Sequence, residues 1–218
     1  MCSHKMQCEL LEVANRAIAH YYRRFPFAWR CPKAIDLDLL IMVLTGGSIK
    51  MFPLSKDGSV LGMTAHERLT IQVELEDGTV IRDTLRPKDI VVDSSLAGLH
   101  NTGARNFTLA HEIGHQLLRA RFPVENLSHE LEEEFADIIA MGILLPERLV
   151  RAAMEYFQFP DKLYCVYHSH LDENYLRFKA MARHLGVQRQ LLAERMRFMN
   201  VLTSDVPYRQ SLLLLEGK

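Results

Sequence analysis

Residues 107–118 set the frame into which the rest of the chain must fold. Phe107, Ala110, Ile113, Gly114, Leu117 and Leu118 recur at helical spacing, and the same run holds His111-Glu112-Ile113-Gly114-His115. Side chains four residues apart leave a helix from one face, so His111 and His115 project together. Glu112 stands one residue on from His111, about 100° around the axis. At this chain's composition a chance match to the pattern is expected about 0.03 times, too rarely to treat the spacing as accidental. Gly114 has no side chain and lets another element approach this helix closely.

Two imidazoles so placed can offer nitrogen to one ion at about 2.0–2.1 Å, and Glu112 lies beside that ion rather than on it. In this arrangement the glutamate takes a proton from a water on the metal and later carries it to a leaving amine. A third ligand is required. A second helical run from about Glu130 to Leu145 offers Glu130, Glu132, Glu133 and Glu134, most of which must form a solvated face. Asp137 lies four residues beyond Glu133, so Glu133 can bind the metal while Asp137 holds a ligand histidine by its second nitrogen. Glu130 and Glu134 are the rivals. A His, His, Glu set leaves one position open, as catalytic zinc sites do. Tyr164, Tyr167, His168 and His170 are candidates for stabilising an oxyanion, and spacing does not choose among them.

Other segments supply a scaffold. Gln7 to about Arg24 and Asp36 to Leu44 read as helices, the second closed by Gly46-Gly47. Leu69, Ile71, Val73 and Leu75 alternate with polar residues, Asp77-Gly78 marks a hairpin turn, and Val80-Ile81 begins the return strand. Val60 to Met63 and Ile90-Val91-Val92 are further strand candidates. Helical runs are expected at 147–157, 173–184 and 188–199, with an irregular stretch at 159–172. The expected fold is α+β: a small twisted sheet packed on the two metal-bearing helices, with a helical C-terminal extension. The expected organisation is an N-terminal helix and linker (1–33), a core (34–158) and an extension (159–218).

The stretch Arg105-Asn106-Phe107-Thr108-Leu109-Ala110 leading into His111, and the later Glu133-Glu134-Phe135-Ala136-Asp137 ending in Leu144-Leu145-Pro146, resemble the ImmA/IrrE family of metallopeptidases. That resemblance puts the family's glutamate ligand on Glu133. Asp137 stands where the family more often has Asn, and zinc peptidases of the thermolysin kind use Asp there. Met181 to Met196 is similar to the family's helix-turn-helix-like end, here about 173–200. The resemblance implies zinc as cofactor and a transcriptional repressor as protein substrate.

Composition limits the alternatives. A net charge of -1 gives no global basic field for nucleic acid, and the longest apolar run, Leu39 to Leu44, is too short to span a bilayer. The N-terminus has no apolar signal region, and Cys2, Cys8, Cys31 and Cys165 form no framework, so the expected location is the cytoplasm. Arg177, Lys179, Arg183, Arg189, Arg195 and Arg197 suggest a DNA-binding end, against which stands a solvated basic face on helices packed to the core. A latent metal-binding sensor is a further alternative. A deformylase-like site would need an upstream cysteine motif that Cys31 lacks, and Cys2, His4 and Cys8 are one ligand short of a metal site.

Overall fold

The computed structural model describes residues 3–27, 32–55, 57–74, 78–122, 127–163 and 173–203. Helix α1 (His4–Arg24) starts at Ser3, whose hydroxyl accepts from the Met6 amide at 3.3 Å. Helix α2 (Leu37–Thr45) starts at Asp36, which accepts from the Leu39 amide at 3.0 Å, and ends at Gly46 in the left-handed region (φ 72°). Strands β1 (Ile49–Phe52), β2 (Gly62–Thr64), β3 (Leu69–Glu74), β4 (Val80–Leu85) and β5 (Ile90–Asp93) follow. Then come α3 (Thr102–Arg121), α4 (His129–Leu144), α5 (Glu147–Tyr156), α6 (Glu173–His184) and α7 (Arg189–Phe198). None of these helices is long and apolar enough to cross a membrane.

The strands form two small sheets rather than one. β5 lies between β1, parallel to it, and β2, antiparallel to it. β3 and β4 pair only with each other. The side-chain period of two explains the arrangement. Ile90 and Val92 point into the main helical core, whereas Val91 points into a smaller cluster with Ala65 and Leu85, joined by Met63, Phe52 and Ile71. β5 is therefore buried on both faces, which is why Ile90-Val91-Val92 reads as an unbroken apolar run. The hairpin covers the far face of the three-stranded sheet and is tied down where Lys50 Nζ donates to Asp83 Oδ2 at 2.6 Å and to the Thr84 carbonyl at 3.1 Å.

The near face carries the helices. By register Gly62 opposes Val92 and Thr64 opposes Ile90, so both face the same side as those two residues. That side meets α3: a Cβ on Gly62 would stand 2.5 Å from Thr108 Cγ2 and 3.0 Å from Glu112 Oε1. α3 in turn crosses α4 at Gly114, where a Cβ would stand 2.7 Å from the Ala136 carbonyl oxygen. On its other side α4 meets α1 at Gly142, whose Cβ would fall 2.6 Å from Ala14 Cβ. The turn between α6 and α7 docks on α3, with Asn106 Nδ2 donating to the Gly186 carbonyl at 2.9 Å. One core of buried apolar side chains runs from Leu10 through these helices to Leu202.

Candidate metal centre

α3 and α4 bring the centre together because each presents one polar turn at their close crossing. His111 Nε2 and His115 Nε2 are 3.0 Å apart. Glu133 Oε2 is 3.2 Å from the first and Glu133 Oε1 is 3.3 Å from the second. Among the described residues this is the group of three whose ligand atoms all fall within 4.8 Å of one another. Neither Glu130 nor Glu134 belongs to it. Tetrahedral coordination at about 2.0–2.1 Å sets donors about 3.3–3.4 Å apart, so this donor set fits a zinc ion in both chemistry and spacing.

The nitrogens turned away from the centre are held by carboxylates. His111 Nδ1 lies 2.8 Å from Asp137 Oδ1, and His115 Nδ1 lies 3.2 Å from Glu132 Oε1. Such partners fix which nitrogen carries the proton and aim the other at the ion. Asp137 lies one turn beyond Glu133 on α4, on the side that faces the His111 ring. Glu132, one of the four carboxylates of this helical run, is only 17% exposed and faces His115. Burial opposes the Glu132 carboxylate, but hydrogen bonding and charge from Arg119, with His115 behind them, hold its pKa below the ordinary value.

Glu112 is buried at 8% exposure, and Thr64 Oγ1 donates to its Oε2 at 2.8 Å. Arg119, four residues beyond His115, sets Nε and Nη2 on Glu132 Oε1 at 3.2 and 3.1 Å. Its Nη1 reaches the His66 ring. Burial and the Arg119 charge push the His66 pKa down, which favours the neutral ring, the form that can accept from the guanidinium. Gly62 lies in the expected strand 60–63, but its contact with α3, like those of Thr64 and His66, spans about fifty residues of chain and has no local signal. Arg119 had a signal: it continues the four-residue spacing of His111 and His115. Tyr164, Tyr167, His168 and His170, together with Cys2, Cys31 and Cys165, lie outside the described residues.

The basic C-terminal face is less open than its sequence suggests. Arg195 is 3% exposed and donates through Nε to the Leu145 carbonyl at 2.8 Å. Arg177 pairs with Glu173 at 3.3 Å and donates to the Gln158 carbonyl, and Arg189 donates to the Tyr175 hydroxyl. Arg195 thus clamps α7 to the end of α4 rather than facing solvent.

His111 carries a pH dependence. Burial lowers its pKa, but the Asp137 hydrogen bond and the charges of Asp137, Glu133 and Glu112 outweigh burial and raise it in the metal-free chain. Protonation would occupy the nitrogen a metal needs, so metal affinity is expected to fall as pH drops through that raised value. Asp137→Asn is expected to move the onset of the fall to lower pH, as read by chelator competition across pH. An onset that stays fixed contradicts the assignment.

The family profile Peptidase_M78, described as the IrrE N-terminal-like domain, matches residues 67–197, which include both helices of the centre. No curated protein matches the sequence. Among solved structures, a Mycobacterium tuberculosis transcriptional regulator is similar at a TM-score of 0.39 and 14% identity, over 89% of this chain and 46% of that one. This chain therefore spans less than half the length of that regulator. With the profile covering more than half its length, the chain belongs to the Peptidase_M78 family of IrrE N-terminal-like domains.

Proposed function

We propose that the chain is a zinc-dependent endopeptidase that cleaves a repressor-type regulatory protein. The observation that carries this reading is the convergence of His111, His115 and Glu133 at mutual separations of 3.0 to 3.3 Å, with Glu112 buried on the same helix. A zinc ion held there would supply Lewis acidity, polarising a peptide carbonyl and acidifying a water. Glu112 is the proton carrier. Thr64 occupies Oε2, which leaves Oε1 to take the proton as the water oxygen bonds to the carbonyl carbon. The same oxygen returns the proton to the amine as the C–N bond breaks.

The substrate strand is proposed to lie along β2. β2 is an edge strand of the three-stranded sheet and carries Thr64, the hydrogen-bond partner of Glu112. Its partner bonds run from the Asp93 amide to the Leu61 carbonyl and from the Ala65 amide to the Asp89 carbonyl. Antiparallel alternation then turns the amides and carbonyls of Gly62 and Thr64 away from β5, toward an added strand. The repressor class of substrate rests on likeness to the ImmA/IrrE family and is tested by co-expression with a candidate repressor. Cleavage is expected to stop with a chelator and return with zinc. Cleavage indifferent to chelation sinks the reading.

A further inference from the structure

We propose that Arg119 is a positioning residue of the metal centre: through Glu132 it fixes the orientation of His115. The proposal rests on the metal centre described above. His115 Nδ1 faces Glu132 Oε1 at 3.2 Å, and the same oxygen receives Arg119 Nε at 3.2 Å and Nη2 at 3.1 Å. His115 and Arg119 are one helical turn apart on α3, while Glu132 comes from α4. The three side chains therefore close a bridge across the helix crossing, immediately behind the ligand nitrogen.

The two ligand histidines are not backed alike. Asp137, behind His111, is 55% exposed, whereas Glu132, behind His115, is 17% exposed. Glu132 sits beside Glu133 in a run of four acidic residues within the first six positions of α4. Like charges at this density repel, and an unanchored Glu132 would turn outward to water. Arg119 supplies the only side-chain hydrogen bonds on Glu132 among the described residues apart from that with His115. Nε and Nη2, fixed in one plane, converge on Oε1 and hold that oxygen against His115, a geometry a lysine ammonium does not reproduce. Nη1 of the same group rests on His66, so the guanidinium is held from its other side by the segment that follows β2.

Plain charge repulsion and positioning predict opposite signs. If Arg119 acted only as a cation near a divalent ion, removing it would tighten zinc binding. If it positions His115, removing it weakens zinc binding by about tenfold, the lower end of the range for partners behind a ligand.

The test is zinc affinity, measured by chelator competition on the full chain for wild type, Arg119→Met, Arg119→Lys, Glu132→Ala and the Arg119→Met/Glu132→Ala double variant. Arg119 is 41% exposed, so its replacement is expected to leave the melting temperature of the metal-free protein unchanged. If Arg119→Met lowers it, Arg119→Lys carries the comparison. The expected result is about a tenfold loss in Arg119→Met and in Arg119→Lys, and a double variant no weaker than Glu132→Ala alone. Affinity of the Arg119 variants within twofold of wild type, tighter binding, or losses that multiply in the double variant would overturn the proposal. Wild type binding no zinc would instead overturn the centre itself, and this proposal with it.

Discussion

Glu112→Gln is expected to keep one zinc per chain and to lose peptide cleavage by about a hundred- to ten-thousandfold, the usual contribution of a positioned general base. The substitution preserves shape. Thr64 can still donate to the amide oxygen, and no charge is stranded at a position only 8% exposed. The group lost is the one that accepts the proton. Because Glu112 does not belong to the converging ligand group, zinc content is unaffected. Initial rates on a purified repressor substrate at equal zinc loading measure the effect. A rate within tenfold of wild type would remove Glu112 from the chemistry.

Gly114→Ala is expected to damage both the fold and the centre. An added Cβ stands 2.7 Å from the Ala136 carbonyl oxygen and 3.2 Å from its Cα. These are backbone atoms of a buried helix, and no side-chain rotation relieves the contact, so α4 must move away from α3. Overpacking of this kind costs about 1–3 kcal/mol. For a chain of this size that lowers Tm by roughly 2–12 °C. Displacement of α4 also withdraws Glu133 from His111 and His115, so zinc affinity falls with stability. Gly142→Ala separates the two effects. Its Cβ would meet Ala14 Cβ at 2.6 Å and Leu11 Cδ2 at 2.9 Å, on the face of α4 turned to α1. It is expected to lower Tm while leaving zinc affinity near wild type. Equal loss of zinc in both variants would show that the centre depends on general stability, not on this crossing.

The centre was legible to the extent that it is local. His111, Glu112 and His115 are written within five residues of one helix, and Asp137 is one turn from Glu133, so helical geometry places them without knowledge of the fold. Gly114 gave away the crossing because a bare backbone in an apolar helical face has few other uses. What remained hidden is set by pairing between distant segments. Thr64 reaches Glu112 only because β2 pairs with β5 in one register. A shift of one residue would turn Met63 to the helix instead. β1 is four residues long and is defined by parallel pairing with β5, so no local alternation announced it. The division into two sheets was hidden for the same reason. Alternation marked β3 and β4 as strands but not that they cover the far face of β5. Arg195 illustrates the opposite error, since a lone arginine in a basic run reads as surface until its carbonyl partner, fifty residues away, is known.

The claim on which the account depends is that His111, His115 and Glu133 hold one zinc ion. The most direct measurement is zinc stoichiometry and affinity of the purified chain, by elemental analysis and chelator competition, beside Glu133→Ala. The account predicts one zinc per chain in the wild type and loss of tight binding in Glu133→Ala. One zinc bound by Glu133→Ala with wild-type affinity would contradict it.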